Sequence, residues 1–220
     1  MKYELVIFDL DGTLLDTLDD LAAAADHALT GAGFPTKSRE AVRRLIGNGV
    51  ARLIRGAVPE GTPEEICQRV LADYRAYYTA NVNVRTRPFP GVVELLRDLR
   101  GAGVRVAVNS NKPDAATRAL CQAHFGEWID LALGERPDIP KKPAPDGARH
   151  IMDALDVAPE RTLYVGDGDT DLLTAQNAGL DAAWVSWGYR RAGELGDLEI
   201  PRAFDDAEAL GRFILDAGAR

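Results

Sequence analysis

Short continuous apolar runs alternate with longer stretches of helical period along most of the chain. Leu5–Phe8, Val104–Asn109, Leu163–Val165 and Ala182–Ser186 have the length and β-branched content of buried strands, with Ile129–Leu133 a weaker fifth. Between them, Val92–Ala102, Asp114–His124, Pro145–Leu155 and Asp171–Ala178 have helical length and composition. Strand alternating with helix predicts an α/β fold on a parallel sheet, whose ligands sit beyond the carboxyl ends of the strands. The alternation stops between Asp19 and Asn83. There, Asp19–Gly31, Ser38–Ile46, Gly49–Val58 and Pro63–Ala80 predict helices without a strand, Pro63 being suited to a first helical turn. Arg85–Pro90 carries two prolines and suits a linker. The expected organisation is an α/β core of residues 1–15 and 88–220, with a helical domain of residues 16–87 inserted after the first strand.

Composition narrows this picture little, and charge narrows it more. The chain has 220 residues, 46% of them hydrophobic and 27% charged, which is ordinary globular usage and enough to bury a core. A net charge of −8 argues against nucleic acid and against an anionic membrane as partners. It would also repel a phosphorylated substrate at long range, so a phosphate site here needs local positive charge from a cation, a lysine or helix N-termini. Cys67 and Cys121 have no metal or redox spacing and suit a reduced, cytoplasmic setting. Leu5–Phe8 ends at Asp9 and is too short for a signal-peptide core or a membrane span.

Four polar constellations follow the strands. Asp9-Leu10-Asp11-Gly12-Thr13 places two carboxylates two residues apart at a strand end, with Gly12 permitting a tight turn. One carboxylate could serve as nucleophile and the other as acid/base with a divalent cation between charges; a plain turn is the alternative. Gly166-Asp167-Gly168-Asp169-Thr170-Asp171 crowds three carboxylates into five residues, which a metal would relieve. A calcium-hand loop is excluded, because its glycine and glutamate positions fall on Leu172 and Ala178. The bland alternative is an acidic helix cap near Asp171. Asn109-Ser110-Asn111-Lys112-Pro113 offers a hydroxyl and backbone N–H groups at a strand-to-helix junction, with Pro113 suited to an early helical position. In Lys141-Lys142-Pro143, proline favours an extended Lys142 able to reach a phosphate or crowded carboxylates, although solvent is the usual fate of a loop lysine. His27, His124 and His150 have no ligand spacing, and neither a Gly-x-Ser-x-Gly elbow nor a P-loop is present.

In this order the four elements resemble the motifs of the haloacid dehalogenase superfamily over nearly the whole chain. Ile46-Gly47-Asn48-Gly49, Ser110-Asn111-Lys112-Pro113, Lys142-Pro143-x-Pro145-Asp146 and Trp187-Gly188-Tyr189 further resemble its phosphoglycolate phosphatase-like subfamily. The resemblance implies a Rossmann-like core with a helical cap and a magnesium-dependent phosphatase acting on a small phosphorylated metabolite. It implies Asp9 as nucleophile and Asp11 as acid/base. Magnesium would be held by Asp9, the Asp11 carbonyl, Asp167 and Asp171, and the phosphoryl oxygens by Ser110 and Lys142. Gly12, Thr13 and Asn111 would line the substrate site, and Asn48 and Arg52 would meet the substrate's organic part. Arg43, Arg44, Arg52 and Arg55 could equally form the wet face of cap helices.

Other members of that superfamily fit less well. Its dehalogenases lack the second aspartate, present here as Asp11, and its phosphonate hydrolases need a cap lysine, for which Lys37 at a helix start is the sole candidate. A sugar phosphomutase keeps both aspartates and differs in returning the phosphoryl group to sugar. A non-catalytic binding module is disfavoured by the joint presence of Asp9, Asp11, Ser110, Lys142 and Asp167.

Overall fold

The computed structural model describes residues 2–216. Strand β1 (Leu5–Phe8) leads through a short strand β2 (Leu15–Asp16) into four helices: α1 (Leu18–Gly31), α2 (Arg39–Leu45), α3 (Val50–Ala57) and α4 (Glu64–Ala80). A second short strand, β3 (Arg87–Pro88), pairs with β2. The remaining chain runs α5 (Val92–Gly101), β4 (Arg105–Pro113), α6 (Asp114–Phe125), β5 (Leu131–Glu135), α7 (Asp146–Leu155), β6 (Thr162–Gly166), α8 (Asp169–Ala178), β7 (Asp181–Val185), β8 (Ala203–Phe204) and α9 (Ala207–Asp216). Two compact units result, residues 1–15 with 88–220 and residues 16–87. Among the described residues, no helix is long and apolar enough to cross a membrane.

The larger unit is an α/β domain on a parallel six-stranded sheet of order β5-β4-β1-β6-β7-β8. All four β1 residues are buried, which is why that strand is apolar without alternation. One sheet face packs Leu5, Ile7, Ala107 and Tyr164 against Ala148, Ile151 and Met152 of α7 and Leu172 and Ala175 of α8. Strand order reverses at β1: the chain passes from β1 to β4 and β5 on one side, then returns to β6 on the other. Phe8 is level with Val108 of β4 and Val165 of β6, so the residues that follow these three strands emerge side by side. A reversal of this kind opens a crevice at the carboxyl ends, where ligands of open α/β sheets bind.

The smaller unit is helical. Alanines on α1 (Ala24, Ala25 and Ala28, all buried) allow close approach to α4, which presents Cys67, Val70, Leu71, Tyr74 and Tyr78 at helical spacing. Ser38 caps α2, its hydroxyl accepting from Ala41 N–H at 3.2 Å. Asp20 is buried in this unit. Its carboxylate accepts from the backbone N–H groups of Val84, Arg85 and Thr86 (2.9–3.0 Å) and from Thr86 Oγ1 (2.8 Å), so burial leaves it satisfied.

Among the boundaries that differ from sequence expectation, three have a local reason. Helix α8 begins at Asp169, two residues before the expected start, because Asp171 sits at its third position and accepts the Gly168 N–H at 3.0 Å. Pro113 closes β4 and precedes α6, its ψ of 136° being extended, so it is not a helical residue. Pro63 likewise precedes α4 with ψ 144°.

Candidate functional site

Residues distant in sequence meet beyond β1, β4 and β6. Asp9, Asp167 and Asp171 are buried and offer ligand atoms all within 4.8 Å of one another. Lys142 Nζ reaches into this group, donating to Asp9 Oδ1 (2.6 Å) and Asp171 Oδ1 (2.7 Å). The lysine is fixed from behind by Asn111, whose side chain accepts the Lys142 N–H (2.9 Å) and donates to the Lys142 carbonyl (3.1 Å). The Lys142–Pro143 peptide is cis. Asn111, expected at the substrate, also braces Lys142, a role that only the fold exposes.

The loop after β1 and the end of β4 carry the remaining polar groups. Gly12 adopts φ 96°, and a Cβ there would lie 2.7 Å from Asp167 Oδ2, so both backbone strain and space demand glycine. Thr13 is buried, its carbonyl accepting from Trp187 Nε1 at 3.0 Å and its hydroxyl 3.4 Å from Asp167 Oδ1. Ser110 Oγ accepts the Lys112 N–H (3.2 Å), which leaves its proton for an acceptor in the crevice. Asp11 is engaged by Lys112, whose ammonium donates to both carboxylate oxygens at 2.7 and 2.9 Å. That lysine side chain is only 2% exposed. The sequence shows Lys112 only as a member of the Ser110 motif and gives it no role of its own; its place two residues after Ser110 at the same strand end is the available signal.

Charge balance explains what the site can hold. Burial pushes the Asp9 carboxyl well above the ordinary range; Lys142 pulls it back down, while the neighbouring Asp171 and Asp167 charges add to the rise. Asp167 is pushed up to about 7, first by burial and then by Asp171, against the pull of the Tyr189 and Arg190 N–H groups. Burial would lower Lys142, but Asp171 and Asp9 outweigh it and hold the ammonium well above its usual value. Three buried carboxylates around one lysine leave negative charge in excess, and all the donors are hard oxygens. This set fits a divalent cation that prefers oxygen ligands.

Asn48 lies in the turn between α2 and α3 of the helical unit, and Arg52 is exposed on α3. Of the four arginines there, Arg43 is buried and paired with Glu40 through Nε (2.9 Å) and Nη2 (2.8 Å), whereas Arg44, Arg52 and Arg55 are exposed. Only part of that set is a wet face.

Comparison with known proteins bears on this geometry. Residues 6–185 match the model of the haloacid dehalogenase-like hydrolases. A phosphoglycolate phosphatase of Pseudomonas putida is 36% identical over 213 residues, covering 94% of this chain and 78% of its own. The solved structure of a Lactobacillus delbrueckii subsp. bulgaricus protein superposes with a TM-score of 0.92 at 33% identity, covering 97% of this chain and 99% of that one. A Rhodobacter sphaeroides protein solved with xylulose-1,5-bisphosphate superposes with a TM-score of 0.75 at 27% identity, covering 95% and 96% of the two chains. With its motifs at the ends of β1, β4 and β6 and the match running through most of its length, the chain belongs to the haloacid dehalogenase-like hydrolase family.

Proposed function

We infer that this phosphatase is magnesium-dependent and hydrolyses small phosphate monoesters through an aspartyl-phosphate on Asp9, with phosphoglycolate the leading substrate. One observation carries the reading: Asp9, Lys142, Asp167 and Asp171 come from three separate stretches of the chain into one buried cluster. Curated relatives named phosphoglycolate phosphatase support the substrate.

The chemistry follows from the residues. Phosphoryl transfer asks for in-line placement and neutralised oxygen charge. An Asp9 carboxylate oxygen attacks phosphorus, the bond from phosphorus to the ester oxygen breaks, and Asp11 gives that oxygen its proton. Water then attacks phosphorus of the aspartyl-phosphate, Asp11 takes the water proton, and phosphate leaves with Asp9 restored. Ser110 and Lys142 hold the phosphoryl oxygens. When bound by Asp9, Asp167, Asp171 and the Asp11 carbonyl, magnesium supplies charge stabilisation and a template. The helical unit acts as a cap, with Asn48 and Arg52 meeting the organic part of the substrate; a guanidinium suits a carboxylate such as glycolate's. A reduced cytoplasm suits the two free, buried cysteines, Cys67 and Cys121. A sugar phosphate is the second reading, favoured by the bisphosphate in the Rhodobacter sphaeroides relative.

The test is phosphate release from a panel of phosphoglycolate, sugar phosphates, other small monoesters and pyrophosphate, with magnesium and with chelator. Phosphoglycolate should lead, chelator should stop turnover, and Asp9→Asn should abolish it in a folded protein. Turnover of wild-type size in Asp9→Asn would remove Asp9 as nucleophile, and full activity in chelator would remove the metal.

A further inference from the structure

The loop after β7, Trp187-Gly188-Tyr189-Arg190, is built onto Asp167. The N–H groups of Tyr189 and Arg190 both donate to Asp167 Oδ2, at 2.6 and 3.2 Å. Two indoles tie the assembly down from separate positions: Trp184 Nε1 donates to the Asp167 carbonyl (2.7 Å) and Trp187 Nε1 to the Thr13 carbonyl (3.0 Å). The Tyr189 ring packs edge-on against Phe89, with centroids 6.5 Å apart. At Gly188 the contact is tightest. A Cβ there would lie 2.3 Å from both Asp167 Cβ and the Gly12 carbonyl oxygen, so the loop reaches its place only without a side chain at that position.

This arrangement treats the two oxygens of one carboxylate unequally. An ionised carboxylate oxygen has two lone-pair directions, and at Oδ2 both are answered by backbone N–H groups. Oδ1 meets the Thr13 hydroxyl at 3.4 Å and keeps a second lone-pair direction for a cation. We propose that the Trp187–Arg190 loop is a positioning device that confines Asp167 to one-oxygen coordination and so makes the centre favour magnesium over calcium. Magnesium demands compact octahedral geometry, which single oxygens supply. Calcium takes six to eight ligands and readily accepts both oxygens of a carboxylate. Hydrogen-bonding partners behind a ligand commonly set metal affinity by factors of about 10 to 100. The proposal rests on the reading of Asp167 as a metal ligand.

Calorimetric titration of magnesium and of calcium into metal-free protein tests both layers, using wild type, Gly188→Ala, Trp187→Phe and Asp167→Asn, with circular dichroism establishing that each variant is folded. Gly188→Ala should raise the magnesium Kd about tenfold or more, because the added methyl pushes the loop off Oδ2, while calcium Kd changes by no more than about twofold. Trp187→Phe, which removes one anchor and keeps the shape, should move the ratio in the same direction by a smaller factor, and decides the matter if Gly188→Ala does not fold. Wild-type magnesium affinity and an unchanged magnesium-to-calcium ratio in the folded loop variants would overturn the proposal. If Asp167→Asn itself binds magnesium as wild type does, the ligand assignment beneath it falls instead.

Discussion

In metal-free protein the acidic cluster should make stability fall as pH rises, and Asp167→Asn should remove much of that slope. The folded Asp167 carboxyl titrates at about 7, against 3.8 for the ordinary group. An acid with a raised folded value binds its proton more tightly in the folded chain than in the unfolded one. Its contribution is therefore whole below the unfolded value and is lost as pH climbs through the folded value. Roughly three pH units at about 1.4 kcal/mol each give about 4 kcal/mol across the window, of which about 2–3 kcal/mol falls between pH 5 and pH 8. Asp9, raised by burial and by the same neighbours, acts in the same direction. Lys142, held above its usual value, stays charged throughout this range and adds no slope. The assay is urea denaturation in chelator at several pH values, for wild type and Asp167→Asn. The variant should overtake wild type in relative stability as pH rises, and saturating magnesium should flatten the wild-type curve by neutralising the carboxylates. A difference between the two proteins that stays constant from pH 5 to pH 8, or that favours wild type at high pH, would refute the account of the cluster as charge in need of a cation.

What could be read from the chain and what could not divides on physical lines. The core strands were legible because a strand buried on both faces writes a continuous apolar run, and Leu5–Phe8 is such a run. The acidic residues were legible because Asp9 and Asp167 directly follow such strands. Strand β8 and helix α9 were not anticipated: β8 is two residues long, and α9 buries Ala207, Leu210, Gly211 and Ile214, a weak apolar face that depends on packing against α5. Lys112 was illegible for a different reason. A lysine beside a proline defaults to solvent, and its burial follows from Asp11, 101 residues away in sequence. Asp20 is hidden likewise, since its partners at Val84–Thr86 become neighbours only when α1 and α4 pack. The Trp187–Arg190 loop entered the sequence reading only through family likeness. Its hold on Asp167 runs through backbone N–H groups, which leave no trace in side-chain identity.

Two further substitutions test individual roles at the phosphoryl site. Ser110→Ala should lower kcat/KM by about 10- to 100-fold through loss of one hydrogen bond to a charged oxygen, worth about 1.5–3 kcal/mol, with thermal stability little changed; a value within twofold of wild type would remove Ser110 from phosphate binding. Lys112→Met takes from Asp11 the two hydrogen bonds that orient its carboxylate. If Asp11 protonates the leaving oxygen, misplacing it matters most where that oxygen is a poor leaving group. The first turnover of an alkyl phosphate such as phosphoglycolate should slow about 10- to 100-fold, whereas the first-turnover burst of nitrophenol from p-nitrophenyl phosphate, whose leaving group needs no proton, should hold near wild type. Rapid-quench and stopped-flow measurement of those bursts separates this first step from the later attack of water, in which Asp11 acts on every substrate alike. Equal slowing of both bursts would mean that Lys112 supports the fold of the site or the phosphoryl group itself, and not the placement of the acid.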